Sequence, residues 1–152
     1  MKFGNSKIGK LELENGTIIY RPDLSNFGEF EVGEKCVFHS NVWIGNGVII
    51  GDRVKVEAFV YIPPGVIIED DVFIGPGTIF TNDRKINIVE SGKFVPDKTI
   101  VKRGARIGAG CVIIAGITIG EKSLIGAGSV VSKDVKANTM VYGERAKVQG
   151  LP

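Results

Sequence analysis

The chain is poor in the residues that most often do chemistry. In 152 residues it has one histidine, His39, one tryptophan and two cysteines. A zinc site needs several His, Cys or carboxylate ligands converging on one point, so no metal is expected. Charge of one sign is also missing: 19 Lys and Arg against 17 Asp and Glu leave +2. That gives no strong field to gather nucleic acid or a membrane surface, and neither is expected as a partner. The opening residues, MKFGNSKIGK, contain no apolar signal core, and no run is long enough to span a bilayer. A cytoplasmic protein of a single domain is the expectation.

What the chain does have is a period of six. From Cys36 to Phe80, apolar or small residues return in two linked columns. One is Phe38, Ile44, Ile50, Val56, Ile62, Ile68, Ile74 and Phe80. The other stands two residues earlier: Cys36, Val42, Val48, Val54, Val60, Val66, Val72 and Thr78. Residues two apart on a strand share a face, so each pair points the same way. Gly45, Gly51, Pro63 and Gly75 follow the pairs and suggest a bend after each, with Glu57 and Glu69 as exceptions. A helix is excluded, since six fits no helical face and these Gly and Pro residues would break it. The pattern resumes at Thr99/Val101 and runs through Ala105/Ile107, Cys111/Ile113, Ile117/Ile119, Ser123/Ile125 and Ser129/Val131 to Val135/Ala137. Its phase is reset by an inserted loop over 81–98. The expectation is an all-β solenoid of very short strands over 36–137. Cys36 and Cys111 fall in the inward column as small core residues, too far apart to pair.

Residues 1–35 lie outside the clean repeat. Lys10–Leu13 and Thr17–Tyr20 flank Glu14-Asn15-Gly16, a hairpin signal, and suit a cap over the open end of the solenoid. Pro22–Gly28 reads as a loop, with Phe30 and Val32 as an irregular first repeat. Residues 138–152 form a tail. Residues just before each column head point outward and sort into three faces. One reads Trp43, Tyr61, Ile79, Val112, Val130; a second reads Ile49, Ile67, Ile100, Thr118, Lys136; the third reads Val37, Lys55, Phe73, Arg106, Leu124. The first is apolar throughout apart from a phenol hydroxyl, and a stripe of that length implies an oligomer contact. His39 stands at a corner eighteen residues before Glu57. Coils stack about 4.8 Å apart, so the two meet, either as a base oriented by a carboxylate or as a plain corner ion pair.

The runs IGNGVIIGDRV, IGAGCVIIAGITIG and IGAGSVVSKDV resemble the hexapeptide-repeat acyltransferases. The resemblance covers roughly residues 36–150 and implies a left-handed parallel β-helix, three hexads to a triangular coil, hence about five coils. It also implies a homotrimer with active sites between subunits. The γ-type carbonic anhydrases share the fold but hold zinc with three histidines, which this chain does not supply. IEDDVFIGPGTIFTND and VPDKTIVKRGARIGAG are similar to the N-acetyltransferases that modify amino groups of nucleotide-linked sugars. In that family a Phe-Thr-Asn precedes the loop and a Lys-x-Gly-Ala follows it; Phe80-Thr81-Asn82 and Lys102-Arg103-Gly104-Ala105 match. The resemblance places Asn82 against the acceptor amine. The C-terminal coils resemble the family's coenzyme A region. Backbone amides around Ala115, Gly116 and Ala127 are expected to meet the pantetheine arm of acetyl-CoA, and Lys133, Lys147 and Arg145 its phosphates. The family's Gly-Asn-Pro-Ala-Lys reads here as Gly143-Glu144-Arg145-Ala146-Lys147, departing at two positions.

An amine needs less help than a hydroxyl, which requires a positioned base. The loop over 81–98 contains no histidine, so N-acetylation of a small sugar substrate is the leading expectation, with Asp83 as a weak candidate base. Two alternatives stand beside it: an O-acetyltransferase using His39 with Glu57, and a solenoid without catalysis that binds a nucleotide or a partner.

Overall fold

The computed structural model describes residues 9–85 and 94–143 and the backbone of 147–149. The chain winds as a triangular solenoid. A hairpin opens it, β1 (Lys10–Glu12) against β2 (Ile18–Tyr20), with Lys10 opposite Tyr20. The first coil then runs through β2, β3 (Asn26–Phe27) and β4 (Glu31–Val32). The second holds β5 (Val37–Phe38), β6 (Trp43–Ile44) and β7 (Ile49–Ile50). The third holds β8 (Lys55–Val56), β9 (Tyr61–Ile62) and β10 (Val66–Ile68). The fourth holds β11 (Phe73–Ile74), β12 (Ile79–Phe80) and, beyond the loop, β13 (Thr99–Val101). The fifth holds β14 (Arg106–Ile107), β15 (Val112–Ile113) and β16 (Thr118–Ile119). The sixth begins with β17 (Leu124–Ile125) and β18 (Val130–Val131). The chain closes with β19 (Met140–Tyr142) and an antiparallel β20 (Lys147–Gln149).

Every third strand stacks on one face. Face one carries β2, β5, β8, β11, β14, β17 and β19 in order; face two carries β3, β6, β9, β12, β15 and β18; face three carries β4, β7, β10, β13 and β16. All these neighbours run parallel, as Phe73 beside Lys55 and then Arg106 illustrates. Parallel strands cannot close in a hairpin and need a crossover; here the rest of each coil is that crossover. The column heads fill the centre. Phe38, Ile44, Val56, Ile62, Ile74, Phe80, Ile107 and Ile113 are wholly buried, each contributing about 1.5–3 kcal/mol relative to exposure. Phe27, Phe30 and Phe38 meet at ring separations of 5.8–6.2 Å and close the N-terminal end of this core.

Three features differ from the sequence expectation. First, there are six coils rather than five, because residues 17–33 stack in register beneath the repeat: Ile19 under Phe38, Phe27 under Ile44, Val32 under Ile50. Pro22–Gly28 is accordingly not a plain loop but a 3-10 turn, Pro22–Leu24, followed by β3. Second, the bends do not fall at Gly45, Gly51, Pro63 and Gly75. The left-handed residues stand two later, at Gly47, Arg53, Gly65 and Gly77, and continue the six-residue period through Lys35, Asn41, Phe59 and Asp71. A Cβ on Gly45 or Gly75 would lie 2.8 Å or 2.6 Å from a backbone nitrogen of the coil above. Those glycines therefore serve close stacking rather than a positive φ. Third, the last repeat slips: Val135, not Ala137, bridges Ile119, and Ala137 is exposed.

Cys36 and Cys111 are free and fully buried, and burial pushes both thiols up from their ordinary range. The native protein should leave an aromatic disulfide reagent unreacted over the time in which the denatured chain titrates two thiols. Rapid reaction of one thiol in the native state would contradict its inward placement.

Candidate functional site

The loop over 81–98 leaves the fourth coil at the corner between faces two and three. At most other corners, the left-handed residue donates its N–H to a carbonyl of the coil beneath, as Gly110 does to Pro76 and Gly128 to Ala109. Above the loop that carbonyl is gone. Two threonines at the loop's stems replace it: the Ala115 N–H donates to Thr81 Oγ1 at 2.8 Å, and the Gly116 N–H to Thr99 Oγ1 at 3.0 Å. An inserted segment thus interrupts the coil without leaving a buried donor unpaired.

Ala115 and Gly116 have no free amides for a pantetheine arm, and Ala115 is wholly buried. Ala127 differs: it is exposed, at the corner between faces one and two. There Ala109, Gly110 and Gly128 are also exposed, and nothing lies within 4 Å of the side-chain positions of Gly110 and Gly128. Such a track of small residues leaves the backbone open to close approach. Lys133 is exposed next to Ser132. Arg145 lies outside the described residues, as does the side chain of Lys147.

Asn82 sits at the mouth of the loop, half-buried, held through its main chain: its carbonyl accepts the Asp97 N–H at 3.0 Å. Its neighbours satisfy the turn. Asp83 Oδ1 accepts the Lys85 N–H at 2.6 Å, and Asp97 Oδ2 accepts the Arg84 N–H at 3.0 Å. The Arg84 guanidinium reaches across two coils to donate to the Ser132 carbonyl at 3.2 Å. Arg84 and Asp97 carry no sequence signal, since both sit in a segment without repeat, and only the fold brings them to Asn82.

His39 is elsewhere. It follows β5 at the corner between faces one and two, two coils below the loop. Its ring stacks on Tyr20 with centroids 5.1 Å apart, and its Nε2 lies 3.6 Å from Glu57 Oε2. Glu57 also takes Lys55 Nζ at 2.8 Å. The meeting of His39 and Glu57 occurs as the eighteen-residue spacing implies, but away from Asn82. Among the described residues no three His, Cys, Asp or Glu side chains converge as a metal site would require, and no helix is long and apolar enough to cross a membrane.

The outward column of face two stacks in the register the sequence gives: Trp43, Tyr61, Ile79, Val112, Val130. Trp43 and Tyr61 stack face to face at 4.6 Å, while Tyr61, Ile79 and Val130 are 37–46% exposed. The corner between faces three and one is the opposite in character. Arg53 pairs Asp71 at 2.6 Å, Arg103 pairs Asp70 at 2.7 Å and Lys102 pairs Glu69 at 2.7 Å. The Lys102 hydrogen bond holds the Glu69 carboxyl below its ordinary range, and Arg53 does the same to Asp71. Charged groups satisfied in this way suit a solvated edge, and face two does not resemble one.

Comparison with known proteins agrees with this geometry. The family described as bacterial transferase hexapeptide (six repeats) matches residues 47–82 and 98–133, the two runs on either side of the loop. The chain therefore carries the hexapeptide repeat of that family in both runs. Its fold is the left-handed parallel β-helix. AntD, an N-acyltransferase from Bacillus cereus solved as a mutant with dTDP and coenzyme A, superposes with a TM-score of 0.76 at 19% identity, over 88% of this chain and 79% of that one. A dTDP-3-amino-3,6-dideoxy-alpha-D-galactopyranose 3-N-acetyltransferase from Aneurinibacillus thermoaerophilus is 51% identical over 53 residues, 35% of this chain and 28% of that protein. A galactoside O-acetyltransferase from Lactococcus lactis is 26% identical over 148 residues, 91% of this chain and 61% of that protein. The hexapeptide-repeat chain spans less than a third of the length of the first of these curated relatives.

Proposed function

We propose that this hexapeptide-repeat protein transfers the acetyl group of acetyl-CoA to an amino group on a nucleotide-linked sugar. One observation carries the reading. The loop root presents Asn82 from a rigid coil, and the chain's one imidazole stands at a different corner. A site with an amide and no nearby imidazole suits an acceptor that is already nucleophilic. The amine nitrogen attacks the thioester carbonyl, the carbon–sulfur bond breaks, and the departing thiolate takes up the amine's proton. Asn82 accepts a hydrogen bond from the amine and holds its lone pair on the carbonyl. The 3-N-acetyltransferase and AntD, with its dTDP and coenzyme A, support the same acceptor class. Ala127 lies along the open track for the thioester arm, with Lys133 as a cation for phosphate.

Three copies of the chain complete the site. The apolar stripe of face two forms the seam; Phe94 and Val95 of the loop are also exposed. Both substrates are cytoplasmic metabolites, which puts the reaction in the cytoplasm.

Incubation with acetyl-CoA and a panel of nucleotide-linked sugars tests the reading by product mass and thiol release. Gain of one acetyl group on the amino sugars alone is expected. Acetylation of the hydroxy sugars alone would favour the O-acetyltransferase reading, to which the galactoside O-acetyltransferase and the His39–Glu57 pair lend support. Failure to bind coenzyme A in calorimetry would leave a solenoid without catalysis. The same assay gives a second expected result: His39→Ala retains most of the wild-type turnover. A loss of about a thousandfold, within the upper range for a general base, would transfer the chemistry to His39.

A further inference from the structure

Asp97 occupies an unusual place. It returns the loop to the solenoid at the corner between faces two and three, where the coil beneath contributes Gly65 and the coil above contributes Gly116. A Cβ on Gly65 would come within 2.9 Å of Pro96 Cβ and 3.1 Å of the Asp97 carbonyl oxygen; one on Gly116 would lie 3.4 Å from Asp97 Cβ. Asp97 therefore fills the corner that the excursion left vacant, sandwiched between two glycines whose lack of a side chain makes room for it. From that fixed point it holds the outgoing strand twice. Its N–H donates to the Asn82 carbonyl at 3.0 Å, and its Oδ2 accepts the Arg84 N–H at 3.0 Å. Arg84 is tied in turn to the Ser132 carbonyl of the sixth coil at 3.2 Å. Asn82 and Asp83 are thus bracketed by hydrogen bonds to one residue that the coil stack positions.

We propose that Asp97 is a positioning residue for acetyl transfer: its carboxylate, through Arg84, fixes the turn that aims Asn82 at the acceptor. The role rests on the acetyl-transfer reading above. It is distinct from proton transfer, because the carboxylate oxygen is used as an acceptor from a backbone N–H. An amide oxygen at the same place does the same work, so Asn is a faithful replacement and Ala is not.

The test compares Asp97→Ala and Asp97→Asn with the wild-type chain. Asp97→Ala is expected to lower kcat about tenfold, since a misplacement of about 1 Å at a reacting group suffices for such a loss. Its KM for acetyl-CoA and its melting temperature should stay near wild type, and Asp97→Asn should recover turnover to within about twofold. Hydrogen exchange at the Arg84 amide gives a readout that does not depend on activity: protected in wild type and Asp97→Asn, fast in Asp97→Ala. Equal exchange in all three overturns the brace, whatever the turnover. Turnover lost equally in Asp97→Asn and Asp97→Ala, with exchange protection kept in the former, overturns positioning in favour of a carboxylate base. If the wild-type chain acetylates no sugar, the acetyl-transfer reading fails, while the exchange measurement still decides whether Asp97 orders the turn.

Discussion

Asn82→Ala should lower turnover at least tenfold, a loss of about 1.4 kcal/mol in transition-state stabilisation, while coenzyme A affinity and melting temperature change little. The side chain lies at the junction of a rigid coil and a long excursion, half-buried, and the residue is anchored by its carbonyl rather than by its amide group. Asn often earns its place in a turn by satisfying backbone groups, and a substitution would then damage folding. Here Asp83 and Asp97 already do that work, taking the Lys85 and Arg84 N–H groups. Among the described residues no turn hydrogen bond rests on the Asn82 amide, so its removal should take away only the group proposed to face the acceptor. Melting temperature and turnover measured on one preparation decide the matter. A lowered melting temperature with near-normal turnover of the folded fraction would return Asn82 to a purely structural role.

The solenoid was legible in the sequence because its core is one-dimensional. Each head residue from Phe38 to Phe80 fills the same kind of place, so the burial pattern prints as an unbroken period of six. Where geometry varies, the print fails. The first coil was missed because its heads Ile19, Phe27 and Val32 follow one another at eight and five residues. The bends were misplaced because five of the eight left-handed corner residues in the unbroken run are not glycine: Lys35, Asn41, Arg53, Phe59 and Asp71 all adopt positive φ, and all but Asn41 donate their N–H to the coil beneath. The slip at Val135 is a shortening of two residues that composition does not mark. The site was legible only where it adjoins the repeat. Asn82 follows a column head directly, whereas Asp97 and Arg84 acquire meaning once the loop is closed, and the hydroxyls of Thr81 and Thr99 once the coil above is stacked. The amides of Ala115 and Gly116 seemed free for the same reason: the residues that occupy them are seventeen and thirty-four positions away.

Ile79→Glu should convert the proposed trimer to a folded monomer and reduce turnover about a hundredfold or more. Ile79 sits at the middle of the face-two stripe, between Tyr61 and Val112, and is 46% exposed on a single chain. Its side chain points away from the core, so a glutamate there meets water in the monomer and leaves the stacked heads undisturbed. In the proposed trimer the same carboxylate would be buried against apolar neighbours, at a cost of several kcal/mol without a partner charge. Three seams per trimer multiply that cost, which is enough to dissociate the assembly at micromolar concentration. Turnover should fall with it, since the proposed assembly brings the loop root of one copy to the coenzyme track of the next only across the seam. Ile49→Glu is the control: Ile49 is 39% exposed and equally outward, but on face three. It should remain trimeric and active. Light scattering coupled to gel filtration, with circular dichroism to confirm folding, reads both variants. An Ile79→Glu protein that stays trimeric, or an Ile49→Glu protein that dissociates alongside it, would move the seam off face two and remove the physical basis for a site shared between copies.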